Sequence, residues 1–556
     1  MALLPARGNH SDTVFHNGSI LTMDGPEPSY VEAVGISAGR IVAVGSLAQV
    51  EAVLPGARVR DLDGCALLPG FIDAHSHLGF GFDLLDQVSV APPPVGSCTD
   101  IAGVISSLEA FRADRAVPEG GILIGWGYDQ AELAERRHIT AADLDAAFPD
   151  HRVVLVHVST HGAVLNTQAL RWAGVDQTTA TPQGGVISRY EGTNEPSGLL
   201  METAYLAHVR DKLPRPARED RFALLDGVQQ LYASNGYTHA QDGFTKVEDL
   251  DFFAEAAARG LLYLDVVALG SFLEAGAWLD DPSYSTGDYV DGFKIGGMKI
   301  VQDGSPQGRT ACVTEPYLTG GPDGEERWFG ESTCPVDAFR ATVARCIDAG
   351  VQVFVHANGD ATIDQLISAV DAAGVTAADD RRTVAIHSQF QRRDHLPEYA
   401  RLGISPSYFT AHTYFWGDVH AANIGVEKAS FISPMRSAAE HGLVISNHSD
   451  FTVTPLDPLF ILWTSMTRTT RSGKTLGQDE CITPYAALAA LTTGAAHQMF
   501  EENRKGRIAV GLLADLVVLS ADPLEAGPEG IRDLTILETI KEGVTVFARP
   551  RTASSV

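Results

Sequence analysis

The sequence predicts an α/β fold: a (β/α)8 barrel, TIM-like, with a small β-sandwich built from both chain ends and an insertion after the first barrel strand. Three observations predict it. Short, almost continuously apolar runs alternate with Ala- and Leu-rich stretches of helical spacing, the pattern of a parallel sheet covered by helices. Eight such runs follow one another through the middle of the chain. The two ends instead carry strand-like pieces, those near the start separated by Asn-Gly, Ala-Gly and Asp-Gly turn pairs. A doubly wound sheet has the same local pattern, and the count of eight is what favours the barrel.

In chain order, residues 14–23, 31–36, 40–44 and 58–62 read as strands, and residues 514–519 and 543–549 mirror them at the other end. We therefore expect residues 1–69 and 505–556 to form one composite β-domain. Residues 70–504 then form the barrel. Its strands are expected at 70–77, 238–242, 263–268, 297–302, 352–356, 383–387, 403–408 and 443–446, with helices such as 336–349 and 361–373 between them. A βα loop and its helix are far shorter than the stretch between the first two strands. Residues 78–235 are thus an insertion, expected to form part of the pocket. It carries two motif-like pieces, GWGYDQ at 125–130 and HVSTHGAVLNTQAL at 157–170.

Composition excludes several functions. The chain has 556 residues, 45% hydrophobic and 20% charged, enough apolar material for a core. Its net charge of −29 repels phosphate backbones and anionic lipid, which argues against nucleic-acid and membrane-surface partners. Six cysteines (Cys65, Cys98, Cys312, Cys334, Cys346, Cys481) are too sparse for a disulfide framework, and none forms a CxxC pair. Residues 1–18 lack a basic region followed by an apolar one, so no signal peptide is expected. No apolar run reaches the ~18–20 residues that cross a bilayer. The expectation is a soluble, cytoplasmic protein.

The strongest chemical signal is GFIDAHSH at 70–77. Alternation along a strand puts His75 and His77 on one face, which at the catalytic end of a barrel is the interior. Two parallel imidazoles can hold one Zn²⁺-like ion. Lys299, His356, His387 and Asp450 then end or follow later apolar runs in order. A single histidine at a strand end is ordinarily a core residue with its hydrogen bonds satisfied. Six such groups at the same end of successive strands are hard to obtain from packing alone.

This order resembles the amidohydrolase superfamily. More closely it resembles the long-chain branch (amidohydrolase family 3) that includes N-substituted formamide deformylase and YtcJ-like proteins. The resemblance covers nearly the whole chain: NGSILTM, LPGFIDAHSHL, GWGYDQ, HGAVLNTQAL, MKIVQDGSPQGRTA, the His356 and His387 strands, SDFTVTPLDP and GRIAVGLLADLVVL. It implies a metal-dependent hydrolase of a non-peptide C–N bond, an amide or N-substituted formamide. One or two divalent ions are implied, zinc above all. His75, His77 and Asp450 would hold the more buried ion, His356 and His387 the second, and a carboxylated Lys299 would bridge them. Lys294 is also near, but the family pattern places the lysine four residues before the Asp of the Asp303-Gly304-Ser305 turn. An ammonium cannot ligate a cation; a carbamate can, and a buried lysine with a lowered pKa supplies the neutral amine it needs.

In that reading hydroxide generated at the metal attacks a carbonyl, and Asp450 carries the proton to the leaving nitrogen. His387 completes the catalytic set. His448 and Asn447 stand beside Asp450 as orienting groups. Trp126, Gln130, His161, Ser305, Arg309 and His448 are the candidates for substrate contact, with Tyr128 and Asn166 as weaker ones. His239 and Asp242 are candidate supporting groups. His157, His412, His420 and His497 read as structural. Two other readings stay open: a cyclic amide, lactone or ester hydrolase or a deaminase of the same superfamily, and a metal-binding protein without catalysis. Lys299 argues against the deaminase branch, and the full ligand set against the scaffold. The partner expected is a small amide-type molecule, with a homodimer by analogy alone.

Overall fold

The computed structural model describes residues 11–84 and 87–550. The reading of the first ten residues, and the last six residues of the composite β-domain, lie outside the described residues. Among the described residues no helix is long and apolar enough to cross a membrane.

The chain opens with β1 (Thr13–Leu21), β2 (Tyr30–Ser37), β3 (Arg40–Gly45), β4 (Arg58–Asp61) and β5 (Ala66–Pro69). It then enters the barrel through the two-residue strand β6 (Phe71–Ile72). The insertion follows with β7 (Val88–Ser89), β8 (Ile122–Tyr128), β9 (Arg152–His157), β10 (Gly162–Leu165), β11 (Gly185–Arg189) and β12 (Pro196–Glu202). The barrel resumes with β13 (Tyr237–Thr245), β14 (Asp265–Ser271), β15 (Phe293–Val301), β16 (Val353–Ala357), β17 (Val384–His387), β18 (Ser405–Tyr408) and β19 (Ser446–Asn447). Last come β20 (Leu516–Leu519), β21 (Ile536–Lys541) and β22 (Val544–Ala548).

All eight barrel strands overlap the apolar runs, the last sharing only Ser446 with the expected 443–446, and they pair in parallel in the order β19-β18-β17-β16-β15-β14-β13-β6. The first is shorter than expected. Phe71 and Ile72 pair with β13, after which the chain runs on, extended, through His75 and His77. The seam between first and last strands is stitched at the catalytic end. The Asp450 amide donates to the His75 carbonyl at 3.0 Å and the His77 amide to the Phe451 carbonyl at 2.6 Å. The strands are buried on both faces, which is why they read as continuous apolar runs rather than alternating ones.

The terminal strands form one mixed eight-stranded sheet, β22-β21-β20-β5-β1-β2-β3, with β4 beside β1. Antiparallel pairing of β5 with β20 joins the two chain ends. Edge strand β3 folds against the segment that leads into β20: the Ile41 amide donates to the Leu512 carbonyl at 2.9 Å, and the Gly511 amide donates to the Ile41 carbonyl at 2.8 Å. The halves of the sheet enclose Phe15, Ile36, Ile41, Leu516, Val518 and Ile540. Two of its strands escaped the sequence reading. β5 is four apolar residues running into the barrel segment, and β21 (ILETIK) mixes apolar with charged residues that are nonetheless buried.

The insertion has a sheet of its own, β11-β12-β10-β9-β8-β7. One apolar cluster, including Leu123, Leu155 and Leu199, and a second, including Val154, Leu165 and Leu200, are drawn from alternate residues of the same strands. A sheet packed on both faces is a layer, not a loop.

At the N-terminal end of the barrel lies a buried charge cluster. Lys294 pairs with Glu501, and Lys505 with Asp265. Lys541, from the terminal sheet, reaches Asp265 at 3.1 Å and Asp515 at 3.0 Å. His239 meets Lys505 at 3.3 Å here, at the opposite end from the residues expected to bind metal, so it supports this cluster and not them.

Candidate metal centre

At the C-terminal end of the barrel three strands and the seam deliver their side chains to one point. Lys299 stands near the end of β15 and His356 near the end of β16; His387 is the last residue of β17. Ligand atoms of His75, His387 and Asp450 lie within 4.8 Å of one another. Asp450 Oδ1 is 3.5 Å from His75 Nε2 and 3.4 Å from His77 Nε2. Lys299 Nζ is 3.0 Å from His75 Nε2, and His387 Nε2 is 3.2 Å from His356 Nδ1. The structure thus brings together all six residues expected to bind metal.

The ring orientations are set from behind. His75 Nδ1 lies 2.8 Å from Gln241 Oε1 on β13, an acceptor that leaves Nε2 with the lone pair. His356 Nε2 faces the Gly304 carbonyl at 3.2 Å, which leaves its Nδ1 toward His387. His387 Nδ1 lies 3.0 Å from His448 Nε2, whose other nitrogen meets Ser407 Oγ at 2.9 Å. His77 stacks on Phe80 with ring centroids 4.6 Å apart. Asp303 ties the ends of β15 and β16 by accepting from the amides of Asn358 at 3.0 Å and Gly359 at 2.8 Å.

The electrostatics favour lone pairs. Burial holds His75, His356 and His387 well below the usual imidazole range, with neighbouring imidazoles and Lys299 adding to it, so all three are neutral. Burial pushes the Lys299 ammonium down to about 7. Burial would raise Asp450, but His77, His448 and Lys299 outweigh it and keep the carboxyl below its ordinary value. His387 and Asp450 both hold positive φ, 68° and 50°, a backbone region that side chains adopt only where the surroundings enforce it.

The residues fit a divalent cation. His77 Nδ1 and Asp450 Oδ1 are buried with no hydrogen-bond partner among the described residues. Imidazole nitrogens of His75 and His387 and a carboxylate oxygen of Asp450 converge within 4.8 Å, and a donor set of imidazole and carboxylate suits a divalent metal.

The cavity above the centre is walled partly by the insertion. Ser159, His161, Glu202, Tyr205 and Leu206 face it together with Phe80, Phe244 and Phe272. His161 is therefore where the sequence reading wanted it, its ring 5.0 Å from that of His356. Other expectations are corrected. Trp126 lines a separate cavity with Asp129, Trp416 and Arg471. Gln130 Oε1 is spent on His157 Nε2 at 2.7 Å, and the other nitrogen of His157 on Ser159. Ser305 is buried within the turn and faces Thr310. Arg309 turns away at φ 61° to donate to the carbonyls of Thr319 and Gly320. His448 stands behind His387 and does not line the cavity. Asn166 caps the helix Thr167–Ala173. Asp242 supports the centre indirectly, accepting from the Gly79 amide at 2.9 Å. Asn447 accepts from the amides of Thr410 and His448.

Sequence reasoning missed Gln241, Ser407 and Glu202. The first two sit on barrel strands with no motif around them. Glu202 ends an insertion strand, and nothing in its neighbourhood marks it.

Comparison with known proteins agrees with this geometry. The amidohydrolase family profile matches residues 58–547. YtcJ of Bacillus subtilis (strain 168), named as an amidohydrolase, is 26% identical over 96% of this chain and 99% of its own. The N-substituted formamide deformylase of Arthrobacter pascens is 27% identical over 97% of this chain and 98% of its own. A solved structure of an uncharacterized metal-dependent hydrolase from Pyrococcus horikoshii OT3 superposes with a TM-score of 0.71 at 20% identity, covering 92% of this chain and 98% of that one.

Proposed function

The chain belongs to the amidohydrolase family of metal-dependent hydrolases, and from that premise we propose that it cleaves a non-peptide C–N bond in an amide, in particular an N-substituted formamide. We assign one divalent ion to His75, His77 and Asp450 and a second to His356 and His387, with Lys299 between them as a carbamate. The observation that best supports a metal here is the convergence of ligand atoms of His75, His387 and Asp450, whose Oδ1 has no hydrogen-bond partner among the described residues, beside a lysine whose ammonium is pushed down to about 7. The same reading divides the chain into a β-domain of residues 1–69 and 505–556 and a barrel of residues 70–504, with 78–235 forming part of the pocket.

A divalent cation in this site supplies acidified water and polarises a carbonyl. The chain does the rest. Lys299 is buried enough to offer a neutral amine, which adds to CO2 and loses its proton to give the carbamate. Asp450 accepts the proton of the attacking water and returns it to the leaving nitrogen, because an amide anion is a poor leaving group. The cavity walls Phe80, Tyr205, Leu206, Phe244 and Phe272 suit an apolar substituent on that nitrogen. The relative named as a deformylase supports formamide over longer acyl groups.

The test is a hydrolysis screen of metal-replete protein against aryl and alkyl formamides, acetamides, carbamates and lactones. Fastest turnover is expected on N-substituted formamides, with about two ions per chain by elemental analysis. Turnover of lactones alone sinks the substrate reading. A one-to-one metal ratio in an active preparation removes the carbamate bridge.

A further inference from the structure

Arg210 is the one arginine among the described residues that line the metal cavity. It follows the insertion helix Thr203–His208 and is half-buried, and Leu206 on the same wall is exposed, so this part of the wall is the rim. The guanidinium lies over the Phe80 ring, 4.1 Å from its centroid. Phe80 in turn stacks on His77 at 4.6 Å, so one ring separates the cation from a residue expected to bind metal. Stacking holds the plane of a guanidinium and leaves its in-plane N–H groups for a partner. The chain supplies no carboxylate for them: among the described residues Arg210 makes no ion pair. Three arginines gather around the buried Asp83, whose Oδ1 accepts no hydrogen bond. Two of them, Arg215 and Arg221, are bound to Asp249 at 3.2 and 2.7 Å. The third, Arg210, faces the cavity instead. Asp211 beside it pairs with Lys246. Glu202, on the cavity wall, is taken by His161 at 2.8 Å and by Thr310 at 2.6 Å. The Tyr205 hydroxyl is a polar neighbour of Arg210 and is uncharged, its pKa raised by burial.

We propose that Arg210 is a specificity residue that binds a carboxylate carried by the substituent of the scissile nitrogen. The inference rests on the amidase reading and narrows its substrate class. In a formamide the acyl side carries only hydrogen, so the anion belongs to the nitrogen substituent. That substituent is then amphipathic: its apolar stem lies along Phe244 and Phe272, and its acidic end reaches the guanidinium. A carboxylate matches the planar fork with two parallel hydrogen bonds, which a point charge does not offer. Because Phe80 already holds the side chain, little of its freedom is left to lose on binding. The net charge of −29 repels anions at long range, so selection for one has to be made by a cation placed locally, at the cavity itself.

The test pairs N-(para-carboxybenzyl)formamide with its neutral isostere N-(para-nitrobenzyl)formamide. Both are assayed for kcat/KM on the metal-replete enzyme and for binding by calorimetry, with metal content measured in parallel. The intact enzyme is expected to prefer the carboxylate by about ten-fold, chiefly through KM. Added salt should shrink that preference, because the cation is partly exposed. Arg210→Met keeps an apolar stem on Phe80 and should bring the two compounds to within about two-fold of each other. Arg210→Lys keeps the charge without the fork and should retain part of the preference. Where Arg210→Met misfolds, the lysine variant and the salt dependence of the intact enzyme still decide. Turnover of both compounds with equal kcat/KM and equal affinity in the intact enzyme, or an undiminished preference in Arg210→Met, overturns the inference alone. Tighter binding of the carboxylate with turnover of neither compound overturns the amidase reading and leaves Arg210 as an anion site.

Discussion

At the N-terminal end of the barrel strands, Lys294, Lys505 and Lys541 face Asp265, Glu501 and Asp515. At the C-terminal end of the same strands, imidazoles face imidazoles and a lysine across similar distances. Both clusters are buried, and both draw on β13, β14 or β15. They differ in bookkeeping of charge. In the lower cluster every ammonium has a carboxylate, so Asp265 and Glu501 stay ionised although burial alone would raise them. In the upper cluster neutral nitrogens point at one another, and one carboxylate oxygen accepts nothing. Burial is common to structure and function. Neutral nitrogens gathered around a carboxylate oxygen that accepts nothing set the upper cluster apart and suit it to a cation.

The largest effect expected from this contrast is at Asp450. Asp450→Asn should leave the protein folded and metal-loaded while activity falls by about 10²–10⁴-fold. A variant that keeps a near-normal amidase rate would remove Asp450 from proton transfer. Next in size is Lys505→Met in the lower cluster, which takes one of two ammonium partners from Asp265 and from Glu501 and leaves them Lys541 and Lys294. Unfolding by denaturant should show a loss of about 3 kcal/mol, the lower end of what breaking a buried pair costs, because the remaining lysines compensate in part. If it disturbs metal content more than stability, the two ends are not independent.

Chelation should lower the thermal midpoint by mass action, about 2–3 kcal/mol for a site held near a hundred times its dissociation constant. The lower cluster supplies the control, since no metal-dependent change is expected in a Lys505→Met background beyond that of the intact chain. The smallest and slowest effect is acid loss. Glu501 is held at about 2 against an ordinary 4.5, because Lys505 and Lys294 outweigh the burial that would raise it. A carboxyl with a depressed native pKa contributes its full stability above its ordinary value and loses it as pH falls. Glu501→Gln should therefore lower stability at neutral pH and flatten the profile between about pH 4.5 and 2, so that variant and intact chain converge in acid.

How much of this was legible in the sequence follows from where each signal lives. His75, His77, His356 and His387 could be found because a barrel puts strand ends together, so order along the chain becomes position in space. Asp450 was found the same way, and only the choice of Lys299 over Lys294 needed the family resemblance as well. The substrate candidates fared worse because nearness to a ligand in sequence says little about direction. Arg309 is ten residues past Lys299 and turns to backbone carbonyls, while Glu202, on a different sheet, reaches the cavity. The terminal sheet was legible where Asn-Gly and Asp-Gly turns marked it, and not at β21, whose buried Glu538 and Lys541 break the apolar pattern.

The seam of the barrel has a consequence for synthesis. His75 and His77 leave the ribosome early and Asp450 late, yet their backbones share the hydrogen bonds that close the barrel. On the ligand assignment proposed above, a nascent chain would hold two ligands without the third until its last barrel strand has emerged. A complete centre would then form late, with closure of the ring rather than with translation of the HxH motif.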